Sequence, residues 1–215
     1  MTSGAADLRL PELDEVWTYL SAGPTLGQSS TGGQGLVHLG ESLPLDAWPI
    51  HDPPRAGDTV GFANVEDDLT IYGVPKLVGI NLDRSAVRRY HSGRPSGRAQ
   101  VLLNYHPVAR DPWRLKAVLD TDGHTMTSSF SAIRPIVGGP SCQYLWAIMN
   151  SPVANAFAYS HLAKRDILVG TMRTMPVPEC SPSQESAIEQ AAARYRELAI
   201  AKAATTPAPT DLFHQ

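Results

Sequence analysis

The chain has 215 residues, is 42% hydrophobic and 18% charged, and carries a net charge of -3, enough apolar mass for one sizeable core. Disorder as the main state is thereby excluded. No apolar run approaches the ~20 residues of a membrane span, and the amino terminus shows no basic segment leading into an apolar one, so a cytoplasmic protein with no membrane partner is expected. Two cysteines, Cys142 and Cys180, are too few for a disulfide framework or a structural zinc site.

In chain order, residues 1–14 read as a flexible tail. Residues 23–61 hold many of the 17 glycines and 18 prolines, which predicts short strands joined by irregular loops. Strand signals strengthen at Lys76 to Leu82 and at Gln100 to Asn104, short runs rich in Val, Ile and Leu bounded by turn residues. Asp122-Gly123 is a two-residue turn signal. Counting outward from it pairs Leu119 with Met126, Leu115 with Phe130 and Trp113 with Ala132 on an apolar face. The same register sets Lys116 opposite Ser129 and Arg114 opposite Ser131 on a polar one.

Beyond this hairpin the period lengthens. Tyr144, Leu145, Ile148 and Met149 share one helical face, and Ser151-Pro152 supplies a cap and a first-turn proline for a second helix through Val153, Ala156 and Phe157. A third helix starts at Ser181, with Pro182 at its first position and Gln184 completing a capping box. Its narrow stripe of Ile188, Ala191, Ala192, Tyr195, Leu198 and Ala199 suits close packing on another helix, in its own domain or in a partner. The expected fold is α/β (α+β): a mixed or antiparallel twisted sheet with hairpins, followed by a C-terminal helical segment. Its divisions are a domain over 15–180, a helix over 181–203 and a disordered tail over 204–215.

Charge is unevenly placed. Residues 84–116 carry eight cations (Arg84, Arg88, Arg89, Arg94, Arg98, Arg110, Arg114, Lys116) and one acid, Asp111, a local +7 that leaves -10 for the remainder. A basic block in an acidic chain points to an anion-facing surface, and polyphosphate is the commonest anion needing so many cations. Cations beside hydroxyls can hold phosphate oxygens by charge and hydrogen bond together. Charge and register therefore select Arg88, Arg89, Arg94, Arg98, Arg114 and Lys116 for phosphate or base contact, with Ser129 and Ser131 assisting. Lys164, Arg165 and Arg173 form a second patch.

Catalytic signatures are wanting. The segment Gly32-Gly33-Gln34-Gly35 lacks the Gly-Lys-Ser/Thr of a phosphate loop. His51-Asp52-Pro53-Pro54 has Arg55 where a base-flipping methyltransferase needs an aromatic residue to stack on the extruded base. The seven histidines stand in no metal-binding spacing, neither cysteine lies in a nucleophile motif, and Glu66-Asp67-Asp68 lacks the downstream Glu-x-Lys of a nuclease.

The stretch QYLWAIMNSPVANAFAY over 143–159 resembles the C-terminal specificity region of adenine-specific DNA methyltransferases of restriction systems. In that family a leucine-rich helix and a Leu-Asn-Ser step lead through small residues and an aromatic to a basic stretch and a Pro-hydrophobic-Pro exit. Met149-Asn150-Ser151, Lys164-Arg165 and Met175-Pro176-Val177-Pro178 take those places. The capped helix after Ser181 resembles the spacer helix of type I specificity subunits, and residues 100–105 and 112–117 also look like this group.

The resemblance covers about residues 15–200. It implies a target-recognition domain that docks on double-stranded DNA and partners a methyltransferase or restriction subunit. S-adenosylmethionine and the Asn/Asp-Pro-Pro-aromatic tetrapeptide would then reside on the partner, with no cofactor on this chain. Two rival readings are a small enzyme with an S-adenosylmethionine or nucleotide site around Gly32 to Gly40, and a protein-interaction domain of a larger complex.

Overall fold

The computed structural model describes residues 14–38, 49–64, 72–73, 75–83, 87–89, 92–106, 113–162 and 166–205. Before the sheets come two short helices, α1 (Asp14–Leu20) and α2 (Leu26–Ser29). Among the described residues ten strands follow: β1 (Ser30–Thr31), β2 (Val37–His38), β3 (Ile50–His51), β4 (Thr59–Phe62), β5 (Val78–Ile80), β6 (Val87–Arg89), β7 (Gln100–Asn104), β8 (Ala117–Asp120), β9 (Thr125–Met126) and β10 (Phe130–Pro135). Four helices close the chain: α3 (Cys142–Met149), α4 (Pro152–His161), α5 (Val169–Met172) and α6 (Pro182–Thr205). The fold is mixed α/β with a C-terminal helix, as the sequence led us to expect. Its tail assignments lie outside the described residues, apart from the last residue of the first and the start of the second.

The central sheet has the order β1-β10-β7-β8, all antiparallel; a second has the order β3-β5-β4-β9, with β4 and β9 parallel; β2 and β6 form a ribbon. Strand β7 is buried along its whole length because both of its faces are covered. Val101 and Leu103, with Leu115, Ala117 and Ile133, meet the helices through Tyr144, Leu145, Ile148 and Phe157. Leu102, with Val118, Phe130 and Ala132, meets Phe62 and Met126 of the second sheet. A strand covered on both sides reads as a continuous apolar run, which is what residues 101–103 are.

This placement overturns the hairpin register. The Asp122-Gly123 turn is present, with Gly123 at φ 70°, but the strands on either side of it do not pair with each other. Before the turn, β8 pairs with β7 through Gln100↔Asp120 and Leu103↔Ala117; after it, β9 pairs with β4, and β10 beyond that takes the other side of β7 through Phe130↔Asn104 and Ile133↔Val101. The most apolar run takes the centre and leaves the two less apolar runs to flank it. Leu119 with Met126, Leu115 with Phe130, Trp113 with Ala132, Lys116 with Ser129 and Arg114 with Ser131 are consequently not cross-strand pairs. The expected polar solvent face does not form either, since helices and a second sheet occupy the two sides.

Strand β8 is an edge, and side chains close it. Asn150, between α3 and α4, accepts from Ala117 N at 2.9 Å and donates to Ala117 O at 2.8 Å, while Trp146 Nε1 reaches the same carbonyl at 3.0 Å. Asn155 Oδ1 accepts from Arg114 N at 2.7 Å. A strand edge satisfied in this way offers no ladder to a passing chain. Ser141 caps α3 by accepting from Tyr144 N at 2.9 Å, Ser151 caps α4, and Ser181 with Gln184 caps α6. Helix α6 is joined to the start of α3 from its first half, and Tyr195 further on meets the Tyr72 ring, their centres 5.1 Å apart. Glu185 accepts from Ser141 N at 2.9 Å, Glu189 accepts from Ser141 Oγ, and Ala192 is buried. Of its apolar stripe, Tyr195 and Leu198 are exposed.

Candidate nucleic-acid interface

The loop Ser92 to Arg98 carries two of the candidate cations, Arg94 and Arg98, both exposed. Its backbone is held at several points. Gly93 O accepts from Met126 N at 2.9 Å and Thr125 Oγ1 at 2.6 Å, and Gly123 O accepts from Ser96 N at 2.8 Å and Gly97 N at 3.4 Å. Ser96 Oγ donates to Arg98 O at 3.0 Å. A side chain at Gly93 would place its Cβ 2.4 Å from both Leu36 N and Met126 O, so only glycine lets the loop lie this close to β9. Pro95 fixes one more dihedral. The two arginines therefore rise from a backbone that is already ordered, the arrangement that spends least entropy when an anion is bound.

Beneath the loop runs a line of polar side chains across three strands. Arg134 on β10 donates from Nη2 to Ser92 O at 2.5 Å and from Nε to Gln100 Oε1 at 2.8 Å. Gln100 on β7 donates from Nε2 to Asp120 Oδ2 at 2.8 Å and to His124 O at 2.9 Å. Asp120, at the end of β8, accepts from the backbone N–H of Asp122, Gly123 and His124, and its Oδ1 lies 2.7 Å from His124 Nδ1. Gln100 is 0% and Asp120 2% exposed, so these bonds form out of water, where their loss is costly. Burial lowers the Arg134 pKa from the usual guanidinium value and the neighbouring Arg98 cation adds to this, with the Asp120 carboxylate opposing both.

Asp120, Asp122 and His124 also bring ligand atoms within 4.8 Å of one another, a grouping able to hold a cation. The hydrogen bonds just described already occupy the Asp120 carboxylate, which builds the turn with them.

The remaining candidates whose side chains are described do not join this loop. Lys116 is 3% exposed and Ser131 4% exposed, both inside the covered sheet. Ser131 Oγ has no hydrogen-bond partner and lines a small cavity with Leu103, Met172 and Arg173. The Arg114 guanidinium lies 3.4 Å from Ala158 O and Leu162 O and 5.8 Å from the Tyr159 ring centre, where a cation closes the carboxyl end of α4. Ser129 is half-buried beside Asn64 at the far end of β7, and four strand steps from Gln100 to Asn104 set the two ends about 13 Å apart. Arg173 is exposed at the end of α5. Arg88 and Arg89 lie on β6 with their side chains outside the described residues, as are Lys164 and Arg165 altogether.

Charge counting missed Arg134 and Gln100, because one lies outside the basic block and the other is neutral. Their only signal was a polar residue bounding each apolar strand.

The glycines of the suspected phosphate loop have another use. A Cβ at Gly32, whose φ is 124°, would stand 2.1 Å from Ala132 O, and one at Gly35 would stand 2.0 Å from Thr127 O. The chain needs glycine there to lie against β10 and the segment before it. His51 Nδ1 meets Asp58 Oδ2 at 2.8 Å, and Asp58 also accepts from Arg55 N at 2.7 Å, so the His-Asp-Pro-Pro segment is tied into a local turn. Burial pushes the Asp58 pKa up, but the hydrogen bonds from Arg55 N–H and His51, with the charges of both residues, outweigh it and leave the carboxyl below its ordinary value.

The fold and the loop together define a mixed α/β protein with an ordered cationic loop at one sheet end. No family model and no curated protein matches the chain. Among solved structures it is similar to the HsdS subunit from Thermoanaerobacter tengcongensis, at 14% identity over 85% of this chain, with a TM-score of 0.48. The match takes in 39% of that structure, so this chain spans well under half of its length.

Proposed function

We propose that the chain is a DNA-recognition domain of a restriction-modification system, serving an adenine-specific DNA methyltransferase and non-catalytic by itself. In this reading S-adenosylmethionine and the residues that transfer the methyl group belong to a methyltransferase or restriction subunit, and double-stranded DNA is the shared ligand. The observation that carries it is the clamped loop with exposed Arg94 and Arg98. Arginine reads guanine O6 and N7 in the major groove and pairs with phosphate oxygens, and each good bidentate base contact is worth about 1–3 kcal/mol of discrimination. The motif run over 143–159 supports the same reading, since its Asn150 and Ser151 form the joint that pins α3 and α4 to the edge of the sheet.

The reading is tested by fluorescence anisotropy with duplex DNA over a range of salt. Affinity should fall steeply with salt, with a log-log slope near -5 if about six phosphates are contacted. No duplex affinity at low salt removes the proposal.

A further inference from the structure

Two groups of the buried line grip opposite ends of the arginine loop. At one end Arg134 Nη2 holds Ser92 O; at the other, Asp120 shapes the turn whose Gly123 O takes Ser96 N and Gly97 N. Gln100 joins the two, and its amide has one workable orientation. Oε1 must face the guanidinium and Nε2 the carboxylate, because the reverse would set donor against donor and acceptor against acceptor. The line is thus a cation, an amide and a carboxylate in series, an ion pair stretched across three strands.

We propose that Arg134, Gln100 and Asp120 are positioning residues of the DNA interface, acting through the loop rather than on the nucleic acid. The inference rests on the proposed function. It adds that the geometry of Arg94 and Arg98, and hence which base step they reach, is set by three residues that do not touch DNA. A loop merely tethered at its ends would bring the same charge to the duplex with less discrimination, because base contacts need placement within about 0.5 Å whereas phosphate contacts tolerate more.

The test is a double-mutant cycle on the full chain. Arg134→Lys keeps the positive charge and loses the fork that bridges Ser92 and Gln100. Gln100→Met, a second variant should the first fail to fold, keeps the volume and removes both the acceptor for Arg134 and the donor to Asp120 and His124. Each is measured in the unaltered chain and in the Arg94→Ala/Arg98→Ala background, together with amide hydrogen exchange at Ser96 and Gly97. The expected result is exchange about tenfold faster at those amides and affinity for the duplex that the unaltered chain selects from a random-sequence DNA pool about tenfold weaker in the unaltered background, with no further weakening in the doubly substituted one. Equal weakening in both backgrounds overturns the proposal, because Arg134 would then contact DNA itself; unchanged exchange overturns it as well. If the unaltered chain binds no DNA, the functional reading fails on its own, and the exchange measurement alone decides whether this line holds the loop.

Discussion

Single side chains decide several parts of this structure. Asn150 meets both backbone groups of Ala117 at the edge of β8, so Asn150→Ala leaves the buried Ala117 N–H unpaired and its carbonyl with Trp146 Nε1 alone. Such a loss should cost about 2–3 kcal/mol, read as a lower urea midpoint with an unchanged slope. A variant as stable as the parent would mean that water replaces the amide. Cys142 is a second case. Burial pushes its thiol up to about 11, with the Asp120 charge adding to the effect. A folded pKa raised above the unfolded value contributes stability that is fully present below about pH 9 and is lost as pH rises toward 11. Cys142→Ala should flatten the alkaline limb of the stability profile. At pH 8 a thiol reagent should label Cys180 well before Cys142, and equal rates would contradict the burial account.

The starts of α4 and α6 were legible at this scale, announced by Ser151-Pro152 and Ser181-Pro182-x-Gln184, whereas the Ser141 cap of α3 and the Thr25-Gln28 capping box of α2 were not read. The network of Arg134, Gln100 and Asp120 was not. Its members are 14 to 34 residues apart in sequence and meet only through strand pairing. Arg114 and Lys116 were misread because charge alone does not tell a solvated cation from one folded against carbonyl oxygens or into a sheet.

At the scale of elements, the lesson lies in β7. A strong turn at Asp122-Gly123 suggested that its flanking runs pair with each other, but local turn chemistry specifies a change of direction and not a partner. The fully apolar run Val101, Leu102 and Leu103 takes β8 and β10 as neighbours and buries both of its faces, while β9, next after the turn, pairs with β4. Helix α6 makes the complementary point. Its capping box fixes where it starts, yet its stripe did not reveal that Ala192 is buried while Tyr195 and Leu198 stay exposed. The link to α3 is concentrated at Ser141, which caps α3 and receives Glu185 and Glu189. Ser141→Ala should cost about 1–2 kcal/mol, seen as a lower Tm. It should also speed hydrogen exchange in α6 more than in β7, and uniform acceleration would show that α6 is held elsewhere.

Over the whole molecule, covering both faces of the central sheet leaves recognition to the loops at its ends. The basic block at 84–116 is not one surface. Its described members divide between an exposed pair, Arg94 and Arg98, and, at the other end of β7, a half-buried Arg114 and a buried Lys116. That division narrows the expected footprint, and it makes the central claim testable with one experiment. A salt titration of duplex binding by the unaltered chain and by Arg94→Ala/Arg98→Ala should give log-log slopes differing by about 2, one phosphate contact and its counterion release lost per arginine, with weaker binding at every salt concentration. Identical slopes and affinities for the two proteins would show that this loop does not meet DNA, and would contradict the account at its centre.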